Sequence, residues 1–199
     1  MNESISLIVG LGNPENEYLN TRHNIGFNFV NYLSEYYKKG FLVEKRFESE
    51  IIDISIESKK VFLIKPLNYV NNSGKSVSLF SNYYKIKPEN ILVAHDDLDL
   101  IPGISKLKFS GGHGGHNGVR DIINYIGKDF WRLKIGIGHP GYGNKDKVTK
   151  HVLGKLKKEE IFAINNSIEN SVSALCKFLT KGSEYAIKEL HNIKLKIDT

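Results

Sequence analysis

The chain has 199 residues, 40% hydrophobic, 11% aromatic and 25% charged, which is enough apolar material for one buried core and too much for a disordered or fibrous protein. With 28 Lys and Arg against 22 Asp and Glu the formal charge is +6, a balance that favours a polyanionic partner without identifying one. The lone cysteine, Cys176, excludes an internal disulfide and a Cys-rich zinc module.

The opening MNESISLIVG carries acid in place of a basic n-region, and its apolar run is too short for a secretory signal or a membrane span. A cytoplasmic protein with one domain over residues 1–199 is therefore expected. The run from Ile5 to Val9 reads as a buried first strand that ends in Gly10-Leu11-Gly12 and a tight loop. From Asn24 to Tyr37 the residues Ile25, Phe29, Val30, Leu33, Tyr36 and Tyr37 recur at helical spacing, and Gly40 stops the run.

Segments rich in Ile, Val and Phe at 41–43, 50–56 and 60–65 predict strands, with Ile52, Ile54 and Ile56 on one sheet face. Pro66 closes the last of these, and Val77, Phe80 and Tyr84 place a second helix over 73–84. After Pro88 the run from Asn90 to His95 predicts a strand buried on both faces, ending in Asp96-Asp97-Leu98-Asp99. Ligands of open α/β sheets bind at the carboxyl ends of strands. The loops after the first strand and after this one can thus flank one cleft.

Residues 103–143 hold eleven of the 18 glycines, so much of this stretch reads as conformationally permissive loop. Within it a helix over 119–126 and a strand over 132–137 are expected, followed by a loop at His139-Pro140-Gly141 and a basic tail from Lys145 to Lys158. Beyond that, Ile161, Ile164, Ile168, Val172, Leu175 and Leu179 form one helical stripe, and Gly182 breaks it before a last short helix. Cys176 lies on this packing helix, where it reads as a small buried hydrophobe.

Several chemistries can be set aside from the motifs. Gly10-Leu11-Gly12 invites a dinucleotide fingerprint, but Glu15 occupies the third glycine position beside Pro14, so the fingerprint fails. Metal ligands could come from His95, Asp96, Asp97 and Asp99, or from His113 and His116 with His139 or His151, yet neither set has a recognised ligand spacing. There is no GxSxG elbow for a nucleophilic serine. What remains is a histidine acting on water.

The stretches LIVGLGNPENEYLNTRHN (7–24), PLNYVNNSGKSV (66–77), VAHDDLDLIPG (93–103), KLKFSGGHGGHN (106–117), RLKIGIGHPG (132–141) and VLGK (152–155) together closely resemble bacterial-type peptidyl-tRNA hydrolases, in the same order along most of the chain. The resemblance implies an α/β fold, a single monomeric domain with a mixed, mostly parallel sheet flanked by helices. It also implies hydrolysis of the ester between a peptide and the 3′ ribose of tRNA, with no metal and no organic cofactor. By resemblance His23 takes the place of the catalytic histidine and Asp96 that of its paired carboxylate. Asn13, Asn71 and Asn117 take those of substrate-positioning asparagines, Tyr18 and Tyr69 match aromatic cleft positions, and His116 matches a histidine beside the cleft.

These roles suit the side chains. A histidine with a pKa near 6.5 is largely neutral at cytosolic pH and can take a proton from water, while an aspartate on its other nitrogen fixes the tautomer and stabilises the imidazolium. Asparagine amides offer donors and an acceptor without adding charge, and Asn13 or Asn117 would aim a donor at the oxyanion. Lys106, Lys108, Lys134, Lys145 and Lys147 are the expected contacts to acceptor-stem phosphates, which position a tRNA without reading its sequence.

The chain departs from the family pattern at Glu15, where glycine is common, at Lys134, where arginine is often found, and in a longer 141–147 loop. The competing function is an RNA-binding relative of the splicing type in which catalysis is lost or secondary. Retention of His23, Asp96 and Asn117 together argues against it.

Overall fold

A computed structural model describes residues 4–141 and 145–192. Seven strands form one sheet: β1 (Leu7–Gly10), β2 (Leu42–Glu44), β3 (Ser49–Ile56), β4 (Lys59–Pro66), β5 (Ile91–Asp97), β6 (Ser105–Phe109) and β7 (Trp131–Gly136), in the order β2-β3-β4-β1-β5-β7-β6. β1 runs parallel to both β4 and β5, and β5 parallel to β7, whereas β2, β3 and β6 join through antiparallel pairings. The expected mixed, mostly parallel sheet is therefore found. β1 and β5 are its adjacent central strands, and both are buried along nearly their whole length, as parallel strands covered on both faces must be.

Among the described residues there are six α-helices: α1 (Ile25–Tyr36), α2 (Ser73–Tyr83), α3 (Asn117–Ile126), α4 (Lys145–Val152), α5 (Lys158–Lys181) and α6 (Ser183–His191). On one face Phe29, Val30 and Leu33 of α1 join Ile168, Leu175 and Phe178 of α5 and Leu190 of α6 in a core with Trp131 and Leu133. On the other, Val77 and Phe80 of α2 and Val119 and Ile122 of α3 pack with Leu7, Val9, Ile91 and Val93.

The small residues after β1 have a packing cause. A Cβ on Gly26 of α1 would lie 2.2 Å from the Ala94 carbonyl oxygen and 2.4 Å from the Leu11 nitrogen, and one on Gly10 would lie 2.5 Å from the Gly26 carbonyl oxygen. Helix α1 is thereby seated directly against the ends of β1 and β5, with no side chain between, and the turn that precedes it is carried to the same place.

Two elements differ from the sequence reading. Ser105–Phe109, placed within glycine-rich loop, is the edge strand β6, and its alternating burial matches a half-buried strand. Lys145–Val152, read as a basic tail, is the short helix α4. Part of the 141–147 loop, residues 142–144, lies outside the described residues.

Candidate active site

The chain leaves β1 through Leu11, whose N–H donates to the Ala94 carbonyl at 3.0 Å, and returns at a 3-10 turn, Arg22–Asn24, just before α1. Asn24 fastens the two limbs of this loop. Its Oδ1 accepts the Asn13 N–H at 2.9 Å and its Nδ2 donates to the Asn13 carbonyl at 2.9 Å. Buried backbone groups need such partners, and satisfying them here fixes His23 and Asn13 relative to each other.

Asp96, 4% exposed near the end of β5, faces this turn. Its Oδ1 lies 2.8 Å from His23 Nδ1 and 2.9 Å from His116 Nε2, and the two imidazole rings sit 4.9 Å apart between centroids. The hydrogen-bond partners decide the tautomers. His116 is the N-cap of α3, and its Nδ1 accepts the N–H groups of Gly118 and Val119 at 3.1 and 3.3 Å. Nδ1 must then carry a lone pair, so Nε2 carries the proton and donates it to Asp96. His23 likewise donates Nδ1–H to the carboxylate, which leaves its Nε2 lone pair available.

The charges are strongly coupled. Burial by itself would raise the Asp96 pKa, but the charges of His23 and His116 and the hydrogen bonds from both rings hold it well below the usual carboxylate range. For His23, burial pulls the pKa down, and the charge and hydrogen bond of Asp96 overcome that, leaving it above the ordinary 6.5. Next in sequence, His95 is 3% exposed and bonds through Nδ1 to the Asp96 carbonyl at 2.7 Å. Burial, with the nearby charge of His116, pushes it down to about 3, so it is neutral at every physiological pH.

Ligand atoms of His23, Asp96 and His116 lie within 4.8 Å of one another, close enough to hold a metal ion. The helix cap speaks against that use. A metal on His116 Nε2 would move the ring's proton to Nδ1, against the two N–H groups of α3 that already point there. The cluster is built as a chain of hydrogen bonds.

Asn13 is 5% exposed, and its Oδ1 accepts the Val70 N–H at 2.9 Å. That bond orients the amide so that Nδ2 is the group left to donate. Asn71 lies exposed in the 3-10 turn Val70–Asn72, and Asn117 lies exposed as the first residue of α3. These two elements are in close contact, since a Cβ on Gly118 would be 2.8 Å from the Val70 carbonyl oxygen. Tyr18 and Tyr69 meet edge to face with centroids 6.4 Å apart. The carboxylate of Glu15 beside it pushes the Tyr69 phenol up to about 12.

The lysines fall into two groups. On the sheet face away from α5 and α6, Lys106 pairs in register with Lys134 and Lys108 with Arg132. Lys106 and Lys108 are exposed, whereas Lys134 is bound to Asp97 Oδ2 at 2.6 Å. Lys145 and Lys147 are exposed on α4.

Three residues that hold the site together were not singled out from the sequence. Asn24 pins the loop, as described. Arg132 donates through Nη2 to the Gly111 carbonyl at 2.6 Å and through Nη1 to the Gly112 carbonyl, anchoring the glycine-rich segment that leads to His116. Arg22 binds the carboxylate of Glu160, 138 positions away. Asn24 and Arg22 flank His23 in the motif TRHN, which was the only local signal for either.

The sequence model of the peptidyl-tRNA hydrolase family matches residues 7–198. A peptidyl-tRNA hydrolase of Acinetobacter baumannii is 49% identical over 179 residues, covering 90% of this chain and 91% of the relative, and one of Ruthia magnifica is 46% identical over 189 residues, covering 94% and 98%. A crystal structure of the Acinetobacter baumannii peptidyl-tRNA hydrolase superposes with a TM-score of 0.91 at 46% identity, covering 98% of each chain. With half or nearly half of its residues shared over almost its whole length, the chain belongs to the peptidyl-tRNA hydrolase family.

Proposed function

We propose that this chain, acting as a monomeric single domain in the cytoplasm, hydrolyses the ester that joins a peptide to the 3′ ribose of tRNA, with His23 as the general base. One observation carries the assignment of the base: Asp96 Oδ1 accepts from both histidines, which leaves His23 Nε2 as the lone pair turned to substrate. Nε2 takes a proton from a water molecule as the water oxygen attacks the ester carbonyl. Asp96 stabilises the imidazolium that forms. General base catalysis of this kind supplies about 10²–10⁴-fold.

The carbonyl oxygen then carries negative charge, and Asn13 Nδ2–H donates to it. The C–O bond to the ribose breaks, the 3′ oxygen takes the proton from His23, and the products are a peptide acid and free tRNA. His116 holds Asp96 in place. Asn71 and Asn117 position the substrate from the two touching turns, and Tyr18 and Tyr69 line the cleft. Lys106, Lys108, Lys145 and Lys147 meet acceptor-stem phosphates, and Lys134 does so while paired with Asp97. Among the described residues no helix is long and apolar enough to cross a membrane, and no membrane partner is assigned.

The test is to incubate the protein with an N-acetylated aminoacyl-tRNA and follow release of free tRNA, beside a His23→Ala variant. Wild type should release tRNA and the variant should be slower by at least 10²-fold. Binding of tRNA with no turnover would support the splicing-type reading instead.

A further inference from the structure

The residue before the proposed base is unusually well held. The Arg22 side chain is 8% exposed and that of Glu160 18%. Arg22 Nε and Nη2 reach Glu160 Oε1 at 3.2 and 2.9 Å, and Nη2 reaches Oε2 at 2.7 Å. Its Nη1 donates to the His151 carbonyl at 3.2 Å. This is the forked pairing that only a planar guanidinium makes.

The backbone is held on the same side. Arg22 N–H donates to the Gly154 carbonyl at 3.1 Å, Leu156 N–H donates to the Asn20 carbonyl at 3.0 Å, and Thr21 forms a β-bridge with Lys155. Glu160 is itself fixed, since its Oε2 accepts the Lys157 N–H at 2.6 Å at the start of α5. The junction between α4 and α5 is tied in turn to the end of β7, because His151 Nε2 lies 2.9 Å from the Gly138 carbonyl oxygen and 3.2 Å from that of Ile137. The turn that carries His23 is therefore gripped from two sides, by Asn13 through Asn24 and by the α4–α5 junction through Arg22.

We infer that Arg22 is a positioning residue for the hydrolysis, its bond to Glu160 setting the place of the His23 turn against Asp96. The inference rests on His23 being the base. Arg22 does not touch Asp96 or the cleft asparagines; it acts through the backbone of its neighbour. A general base must lie within hydrogen-bond reach of its water, and a displacement on the order of 1 Å costs about 10²-fold in rate. Releasing one of the two grips lets the turn shift while the asparagines that bind the peptide stay put. Loss should thus fall on kcat and spare KM.

The experiment is a double-mutant cycle with Arg22→Gln, Glu160→Gln and the double variant, measured on N-acetylated aminoacyl-tRNA under steady-state conditions, with the folded fraction of each taken from its melting curve. Arg22→Lys is included because lysine keeps the charge and loses the fork. Per folded molecule, kcat should fall at least tenfold in each glutamine variant with KM within twofold of wild type. The double variant should be no slower than the worse single, and Arg22→Lys should recover part of the loss. If Arg22→Gln does not fold, Glu160→Gln, which keeps an acceptor for the Lys157 N–H, decides the matter alone by its kcat and KM. The inference is overturned by kcat within threefold of wild type whatever the change in melting temperature, by losses that add in the double variant, or by a loss carried in KM. Failure of wild type to release tRNA would instead refute the proposed hydrolysis, and full activity in His23→Ala would remove the base on which the inference rests.

Discussion

Replacing Asp96 by Asn removes one negative charge from the centre of the site and leaves its shape. Two outcomes are possible for the new amide, and the structure chooses between them. If the amide presented its NH2 to His23, the ring would be forced into the wrong tautomer, a change worth on the order of 10⁴-fold in kcat where an aspartate of this kind is replaced. His116 prevents that. Its Nδ1 is committed to the Gly118 and Val119 N–H groups, so its Nε2–H needs an acceptor at the position of Asp96 Oδ1, and the amide oxygen must stay there. His23 then keeps its tautomer and loses only the charge beside the imidazolium, 2.8 Å away. Both charges are spread over their groups, so their centres lie about 4 Å apart, where a pair is worth about 4 kcal/mol at an effective dielectric near 20. The neutral hydrogen bond that remains returns up to about 1.5 kcal/mol of that, leaving about 2.5–4 kcal/mol, or on the order of 70- to 1000-fold in kcat. The assay is release of tRNA from N-acetylated aminoacyl-tRNA across pH 5–8. The acid limb of kcat/KM should move to lower pH in the variant, because burial still lowers the His23 pKa and the Asp96 charge that raised it is gone. A loss of 10⁴-fold would refute the argument that His116 orients the amide. A loss under about fivefold, or an acid limb that stays in place, would refute the pairing itself.

Asn13→Ala should lower kcat by about 10²–10³-fold by removing the oxyanion donor and should also destabilise the protein by about 1–3 kcal/mol, because the buried Val70 N–H loses its acceptor. Asn13→Asp keeps that acceptor, so urea unfolding should show a smaller loss of stability than Ala with a kcat at least as low. Stability should fall on acidification below pH 6.5. There the unfolded His95 takes up a proton, while the folded residue, held at about 3, stays neutral, which costs about 1.4 kcal/mol per pH unit. The raised pKa of His23 acts in the opposite direction only above 6.5, and the lowered pKa of Asp96 acts only below the ordinary carboxylate value of about 3.9. His191, lowered by its own burial, adds a slope that remains in every variant. Urea unfolding of His95→Phe between pH 7 and 5 should be visibly flatter than wild type, and an unchanged slope would refute the account. Lys106→Ala and Lys108→Ala should each reduce the slope of log affinity against log salt for tRNA by about one, measured by filter binding. Lys134→Ala should change it less, since Lys134 already neutralises Asp97, and an equal effect would show that the ion pair opens for phosphate.

Much of this arrangement was legible in the sequence because it is local or periodic. The apolar runs at β1 and β5, the alternation through β3 and the helical stripes of α1 and α5 name their own elements. The polar strand end at Asp96 marked where a site would lie, and resemblance supplied His23 and His116. Two elements escaped for physical reasons. In β6 the alternation Ser105-Lys106-Leu107-Lys108-Phe109 is present, but Leu107 is its one buried large apolar residue, too little to mark a strand beside the glycines that follow. In α4 only Val148 and Val152 are apolar at helical spacing, too few to declare a helix. The sequence showed that His116 lay near the cleft and not that it caps α3 and shares one oxygen with His23, because a tautomer follows from partners that only the fold supplies. Arg22 was illegible for the same reason, since nothing in local spacing predicts a contact across 138 positions.

The distance along the chain between His23 and its partners has a consequence in time. Asp96 follows it by 73 positions, and the Glu160 carboxylate that grips its neighbour follows Arg22 by 138. Synthesis runs from the N-terminus, so a growing copy of this protein exposes its histidine long before it possesses the carboxylate that orients it. While it is being made, that copy is itself a peptide esterified to tRNA, the very bond its family cleaves. An enzyme whose base came with local partners would be competent against its own tether from early in translation. Here the parts are dispersed, so the turn that carries His23 gains its carboxylate only after 73 further residues have been made, and Arg22 gains its grip only after 138.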